Sequence, residues 1–322
     1  MDFLISSVAA VGAVIITNPM DVIKTRLQLQ GELKAPGQYV KVYNNVLQAG
    51  FQMLKTEGIR GLQRGVYPAA LYQMVMNGTR LSLYHKLQVN GYLNSSSKDG
   101  SGATRLSNIK CVLAGASVGV ISGFIASPLY LVKVQLQSQA DPRLAVGTQH
   151  NHNSVIAALQ ASMRTGGITG LYRGASTSLL RVGVGSAAQL FTYTKCRDAL
   201  HNAGVCDMKS WSNALAGAML SGVAVTACMT PFDVLSTRLY NQGVCSTTGK
   251  GLLYKNLLDC AMQIVRTEGP LALYKGWGAV YLRIGPHSFL SLVFWDVLKD
   301  AHQKWKTGAI GESTTPVGGV NE

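Results

Sequence analysis

The stretch "PMDVIKTRLQ", Pro19 to Gln28, closes an almost uncharged run, "FLISSVAAVGAVIITN". Proline removes one backbone hydrogen bond from a helix and kinks it. Asp21, Lys24 and Arg26 follow at once, so the bend in an apolar helix coincides with opposite charges. The pattern returns as "PLYLVKVQLQ" from Pro128 and "PFDVLSTRLY" from Pro231, 109 and then 103 residues on. A second motif keeps step: "EGIRGLQRG" ends at Gly65, "GGITGLYRG" at Gly174 and "EGPLALYKG" at Gly276, spaced by 109 and 102 residues. Two motifs in register over three copies establish an internal repeat.

Each copy reads alike. A Gly- and Ala-rich apolar stretch leads to the proline motif; a polar loop, a short amphipathic helix such as "NNVLQAGFQMLKTEG", the RG motif and a second long apolar stretch follow. In the second copy Gly115, Gly119 and Gly123 recur at every fourth residue, the spacing that lets helices approach closely in a membrane. Two long helices per copy make six spans of about 20 residues each. The expected fold is an all-α membrane protein of six transmembrane helices in three pseudosymmetric repeats, with short amphipathic helices between them. The repeats cover 1–95, 104–202 and 206–306. "NSSSKDGSGAT" reads as a flexible linker, and 307–322 as a disordered tail.

Composition supports a membrane protein. Only 14% of the 322 residues are charged and 47% are hydrophobic, against about 25% charged in an ordinary soluble domain. The net charge is +14, but the basic residues sit at the ends of apolar segments and do not form one face or tail, which argues against nucleic acid. The six cysteines stand singly, as packing residues or free thiols. His150 and His152 read as part of a solvated loop, so no metal and no cofactor is expected. The N-terminus has neither the pattern of a signal peptide nor that of a cleavable Arg-rich presequence. "RVGVGSAAQ" contains GxGxxA, but no strand precedes it; Gly183 and Gly185 are expected to serve bending or close packing. No catalytic constellation stands out, so the chain is not read as an enzyme.

Tripled Px[DE]xx[KR] and tripled RG motifs, over residues 3 to 305, resemble the mitochondrial carrier family. The pattern is most similar to the oxaloacetate/sulfate carrier branch and its animal relatives. The resemblance implies a six-helix bundle in the mitochondrial inner membrane, one central substrate site and alternating access between two gates. At the matrix gate it implies pairs Asp21–Lys133 and Asp233–Lys24; the third pair falls on Tyr130 and Ser236, where acid and base are lost together. One lost alone would leave an unpaired buried charge, at a cost of several kcal/mol. Gln28, Gln137 and Tyr240 match the braces beneath these pairs. At the cytoplasmic gate the acid positions hold His85, Thr194 and Asp296 and the base positions Gln88, Arg197 and Lys299, so at most one ion pair closes that side unless His85 or hydroxyls help. The matrix-closed state is therefore the expected resting state.

Seven residues past the RG glycines stand Tyr72, Arg181 and Arg283, matching the family's three substrate contact points, with Gln73, Val182 and Ile284 next to them. Asn77, Arg80 and His287 follow one to two turns on. A cavity holding Arg80, Arg181 and Arg283 with no acid beside them calls for an anion, best a dianion. At the RG motifs, Gly65, Gly174 and Gly276 open helices whose free amides attract phosphate. With Arg64, Arg173 and Lys275 these match the family's cardiolipin sites. The expected function is exchange of small dicarboxylate, oxoacid or sulfate-like dianions by a monomer. The alternatives are a monoanion or proton-leak carrier, or a carrier-like scaffold that transports nothing.

Overall fold

The computed structural model describes residues 2–35, 37–90, 94–98, 104–106, 108–152, 154–202, 204, 211–245 and 249–312. Six long helices, α1 (Asp2–Leu29), α3 (Val66–Val89), α4 (Asn108–Ser138), α6 (Ala175–Asn202), α7 (Trp211–Asn241) and α9 (Trp277–Glu312), form the body. Three shorter ones, α2 (Val46–Leu62), α5 (Val155–Leu171) and α8 (Leu257–Thr267), lie between the members of each pair. Helix α1 packs on α3 and α9, α4 on α3 and α6, and α7 on α6 and α9, so the long helices close into a ring. By length and composition alone, Ser7–Leu29, Ala114–Ser138 and Met219–Asn241 can cross a membrane. These are the three helices that carry the proline motifs. Many of their large apolar side chains, such as Ile15, Ile16, Phe124 and Leu220, face outward, as in a protein dissolved in lipid.

The short helices start where the sequence supplies a cap. Asn45, Ser154 and Asn256 each accept from the backbone N–H three residues on. In two of them the third residue reciprocates: Gln48 accepts from the Asn44 N–H and Asp259 from the Lys255 N–H. The caps stand 109 and 102 residues apart, in register with the RG motifs.

The RG glycines join the repeats. Gly65, Gly174 and Gly276 have φ of +70°, +80° and +75°, a left-handed conformation that side chains with a Cβ resist. Each also lies against the next repeat's brace. A Cβ on Gly65 would stand 2.8 Å from Gln137 Cγ, one on Gly174 3.3 Å from the Tyr240 ring, and one on Gly276 3.3 Å from Gln28 Cγ. The missing side chain is thus the space the brace fills, three times around the ring. A small-residue contact joins α4 to α6: a Cβ on Gly123 would meet Leu179 at 3.3 Å and one on Gly119 would meet Val182 at 3.7 Å. Gly185 lies against Met229 of α7, while Gly183 has open space around it.

Three local readings are corrected by the structure. The stretch read as a flexible linker holds an antiparallel pair, β1 (Asn94–Lys98) with β2 (Thr104–Leu106). Helix α9 runs on through Glu312, into the stretch read as a tail. His150 is not freely solvated: it is half-buried, its Nε2 lies 2.9 Å from the Asn241 carbonyl oxygen, and its ring stacks on His152. Among the described residues no cluster of three His, Cys, Asp or Glu is placed to hold a metal.

Past the end of α1, Glu32 accepts from the Tyr254 hydroxyl at 3.0 Å. Burial pushes the Glu32 carboxyl up to about 6, Glu268 adds to the rise, and Arg238 and the tyrosine oppose it. A carboxyl raised on folding contributes stability below its unfolded value that is lost as pH rises through the folded one. Glu32→Gln is therefore expected to stabilise the protein by about 1–2 kcal/mol above pH 6 and to be neutral below pH 4.5, read from thermal unfolding across pH. Gly174→Ala is expected to cost about 1–2 kcal/mol from the left-handed backbone alone, measured as a drop in Tm.

Candidate functional site

Pro19, Pro128 and Pro231 lie inside α1, α4 and α7, and the turns that follow them bring the motif charges together across helices. Lys133 Nζ donates to Asp21 Oδ2 at 2.8 Å, and Lys24 Nζ lies 2.5 Å from Asp233 Oδ2. All four side chains are at most 10% exposed. Gln28 donates to the same Asp233 oxygen at 3.2 Å and accepts from the Thr237 hydroxyl at 2.7 Å. The Gln137 side chain bonds neither lysine–aspartate pair: it donates to Asn18 at 2.9 Å and accepts from Thr25, while its carbonyl accepts from Arg26. The Tyr240 hydroxyl bonds Ser127, and its ring packs edge-on against Tyr130. On the third edge, the Ser236 hydroxyl is buried without a hydrogen-bond partner, and Tyr130 stands between the rings of Tyr72 and Tyr240, 5.1 Å from each.

The expectation that the arginines stand clear of any acid does not hold. Arg181 Nε lies 3.7 Å from Asp233 Oδ1, and Arg283 Nε lies 3.2 Å from Asp21 Oδ1. The reason is register: seven residues past the RG glycine ends at the level of the kinked motif, so the arginines reach down to it. Each aspartate therefore gives one oxygen to a motif lysine and turns the other toward an arginine. Neither arginine Nε makes a hydrogen bond to it, and Asp233 Oδ1 is likewise unbonded. Both guanidinium groups thus have charge compensation but unused donors in a buried place, which a ligand with acceptor oxygens would satisfy.

Other candidate residues spread along the same helices. His287 joins α9 to α1 and α3, with Nδ1 3.3 Å from the Thr17 hydroxyl and Nε2 2.8 Å from Gln73 Nε2. Asn77 and Ile284 are half-buried and Arg80 is exposed, without an ion pair among the described residues. Val182 Cγ1 lies against Gly119 of α4, which takes its side chain toward a helix contact. At the far ends of the even helices His85 and Gln88 are exposed, and Lys299 sits 4.6 Å over the Trp295 ring of its own helix. The side chains of Thr194, Arg197 and Asp296 lie outside the described residues. At the RG motifs Arg173 donates to the Gly249 carbonyl, and Lys275 to Glu268 and the Gln30 carbonyl. Arg64 and Gly65 border a groove of about 1070 Å³ that reaches across to Ser154 and Val155 at the start of α5.

A three-times-repeated family model described as mitochondrial carrier protein matches residues 1–92, 104–204 and 207–305. The chain belongs to the mitochondrial carrier family. Its relatives include a mouse carrier, solute carrier family 25 member 35, 47% identical over 305 residues, 95% of this chain and 99% of the relative. The mitochondrial citrate transporter E of Aspergillus niger is 40% identical over 291 residues, 90% of this chain and 89% of the relative. The mitochondrial oxaloacetate transport protein of Saccharomyces cerevisiae is 38% identical over 294 residues, 91% and 86% of the two chains. This carrier is thus a membrane-embedded transporter of small substrates and not an enzyme, and its relatives are mitochondrial membrane proteins.

Two ion pairs of this carrier escaped the motif reading. Arg26 holds Glu57 bidentately at 2.9 and 2.7 Å, and Arg238 holds Glu268 at 2.5 and 2.9 Å, both arginines fully buried. They tie α1 to α2, and α7 to the turn after α8. The second repeat has Gln135 and Gly166 at these places, so acid and base are again missing together. Removing one partner of a buried pair costs about 3–5 kcal/mol, since it strands the other charge. Lys24→Ala is therefore expected to lower thermal stability strongly, and Lys24→Ala with Asp233→Ala to cost less than the two single losses added. Strict additivity in thermal unfolding would show that the two side chains are not coupled.

Proposed function

We propose that this carrier exchanges small dianions, of the dicarboxylate, oxoacid or sulfate type, across the mitochondrial inner membrane by alternating access. The observation that carries the reading is the pair Arg181, buried, and Arg283, half-buried, from different repeats, each with a buried Nε that makes no hydrogen bond. Two guanidinium forks from different repeats suit a molecule with two anionic groups. Gln73 and His287, which bond each other at 2.8 Å, add polar atoms from α3 and α9. The printed names of the oxaloacetate, citrate and 2-oxoglutarate/malate relatives all describe carboxylate anions, in keeping with this chemistry.

In this reading the motif lysines and aspartates form the matrix gate, drawn here closed, with Gln28, Gln137 and Tyr240 beneath it. The opposite end, with His85, Gln88 and Lys299 in no ion pair among the described residues, is the cytoplasmic side. The groove beside Arg64 and the start of α3 takes the phosphate of a cardiolipin. The Arg173 and Lys275 sites already spend their charge on backbone oxygens or Glu268. One chain encloses the whole ring, so the transporting unit is a monomer.

The test is uptake into proteoliposomes. Labelled oxaloacetate, malonate, malate and sulfate are offered against internal dianion. Uptake of at least one is expected, falling more than tenfold in Arg181→Ala and in Arg283→Ala. Silence towards every dianion, or full activity in both variants, contradicts the reading.

A further inference from the structure

The gate has three edges but only two lysine–aspartate pairs, and the third edge holds Tyr130 and Ser236 in their stead. We infer that Arg181 supplies the cation of that third edge, with the Tyr130 ring and the free oxygen of Asp233 as its counter-groups, so that one side chain both binds the anion and closes the gate. The inference rests on the reading of Arg181 as an anion-binding residue.

The geometry places Arg181 between these groups. Its guanidinium carbon stands 5.4 Å from the centroid of the Tyr130 ring, within cation–π range. Its Nε is 3.7 Å from Asp233 Oδ1, an oxygen without a hydrogen bond. The place of the missing base, Ser236, is fully buried and its hydroxyl has no partner, so nothing from α7 fills the role. Lys133 also lies over the Tyr130 ring, at 5.7 Å, and over Tyr72, at 5.9 Å. One aromatic ring is therefore shared by a lysine of an adjacent ion pair and by the arginine. A tyrosine ring attracts a cation without carrying a full charge, so its hold is weaker and more easily surrendered than a carboxylate's. An anion at Arg181 offers full charge and hydrogen bonds. It competes directly with the ring and with Asp233, and its arrival loosens the third edge. Tyr130 is accordingly a positioning residue, which holds Arg181 in place while the site is empty.

A double-mutant cycle tests this. Tyr130→Leu, Arg181→Gln and the pair are purified in detergent and unfolded thermally with no anion added. Each single change is expected to lower Tm by a few degrees, and the double change to lower it no further than the larger single one. Additive falls overturn the inference. A second arm replaces the edge with an ordinary ion pair, Tyr130→Asp with Ser236→Lys. In that background Arg181→Gln is expected to cost less Tm than in the native chain; an equal or greater loss overturns the inference. This arm also decides the matter should Tyr130→Leu fail to fold. In uptake, Tyr130→Leu is expected to lower KM severalfold with little change in kcat, because a group that competes with the anion for Arg181 is gone, and Tyr130→Phe, which keeps the ring, to leave KM near the native value. A raised KM in Tyr130→Leu, or a Tyr130→Phe variant shifted as far as Tyr130→Leu, contradicts the inference. The cycle contains no substrate, so its result stands whichever anion is carried; silent uptake with a coupled cycle would refute the substrate reading alone.

Discussion

Two buried carboxylates, Asp21 and Asp233, organise the centre of this molecule. A charge taken out of water must be compensated nearby, and each aspartate is compensated on both of its oxygens by different partners. One oxygen meets a motif lysine at 2.8 or 2.5 Å, the other faces an arginine at 3.2 or 3.7 Å. The lysine contacts are tight and join neighbouring repeats. The arginine contacts are electrostatic only, without hydrogen bonds. On the function proposed above, that inequality permits change: a ligand that offers acceptor oxygens to the arginines would displace the weaker contact and leave the stronger one intact but less supported.

The scaffold makes that centre reproducible. Three proline-bearing helices bring the charged turns together, three left-handed glycines admit Gln137, Tyr240 and Gln28 from the next repeat, and three capped short helices fix the loops between. The ties from Arg26 to Glu57 and from Arg238 to Glu268 anchor two of the three kinked helices to their flanking segments. The second repeat lacks such a tie, and it also lacks the motif acid, with Tyr130 in its place. Its kinked helix is held instead by the aromatic row of Tyr72, Tyr130 and Tyr240 and by the bond between Ser138 and Asn241. The ring is therefore threefold in backbone but not in charge.

Much of this was legible in the sequence because repeats carry their own control. Tyr130 and Ser236 were recognisable as a lost pair only because two other copies kept theirs. The same comparison applied to "EGIRGLQRG", "GGITGLYRG" and "EGPLALYKG" would have found Glu57 and Glu268 with their arginines, since Gly166 and Gln135 drop out together. What periodicity could not give was depth across helices. Counting residues put Arg181 and Arg283 on the inner face, but whether they float in a cavity or reach the kinked turns depends on helix packing, and the expectation of isolated arginines failed there. Arg80, on the same face two turns higher, is exposed. The linker and the end of α9 were misread from composition alone, which says little about a short hairpin or a helix that simply continues.

The most direct measurement is the thermal stability of the purified protein against a series of anions at constant ionic strength. If the arginines exchange a gate carboxylate for a bound dianion, malonate, oxaloacetate or sulfate shifts Tm, acetate and chloride at equal ionic strength do not, and Arg283→Ala abolishes the shift. Equal shifts from monoanions, or a dianion shift that survives in Arg283→Ala, would contradict the account.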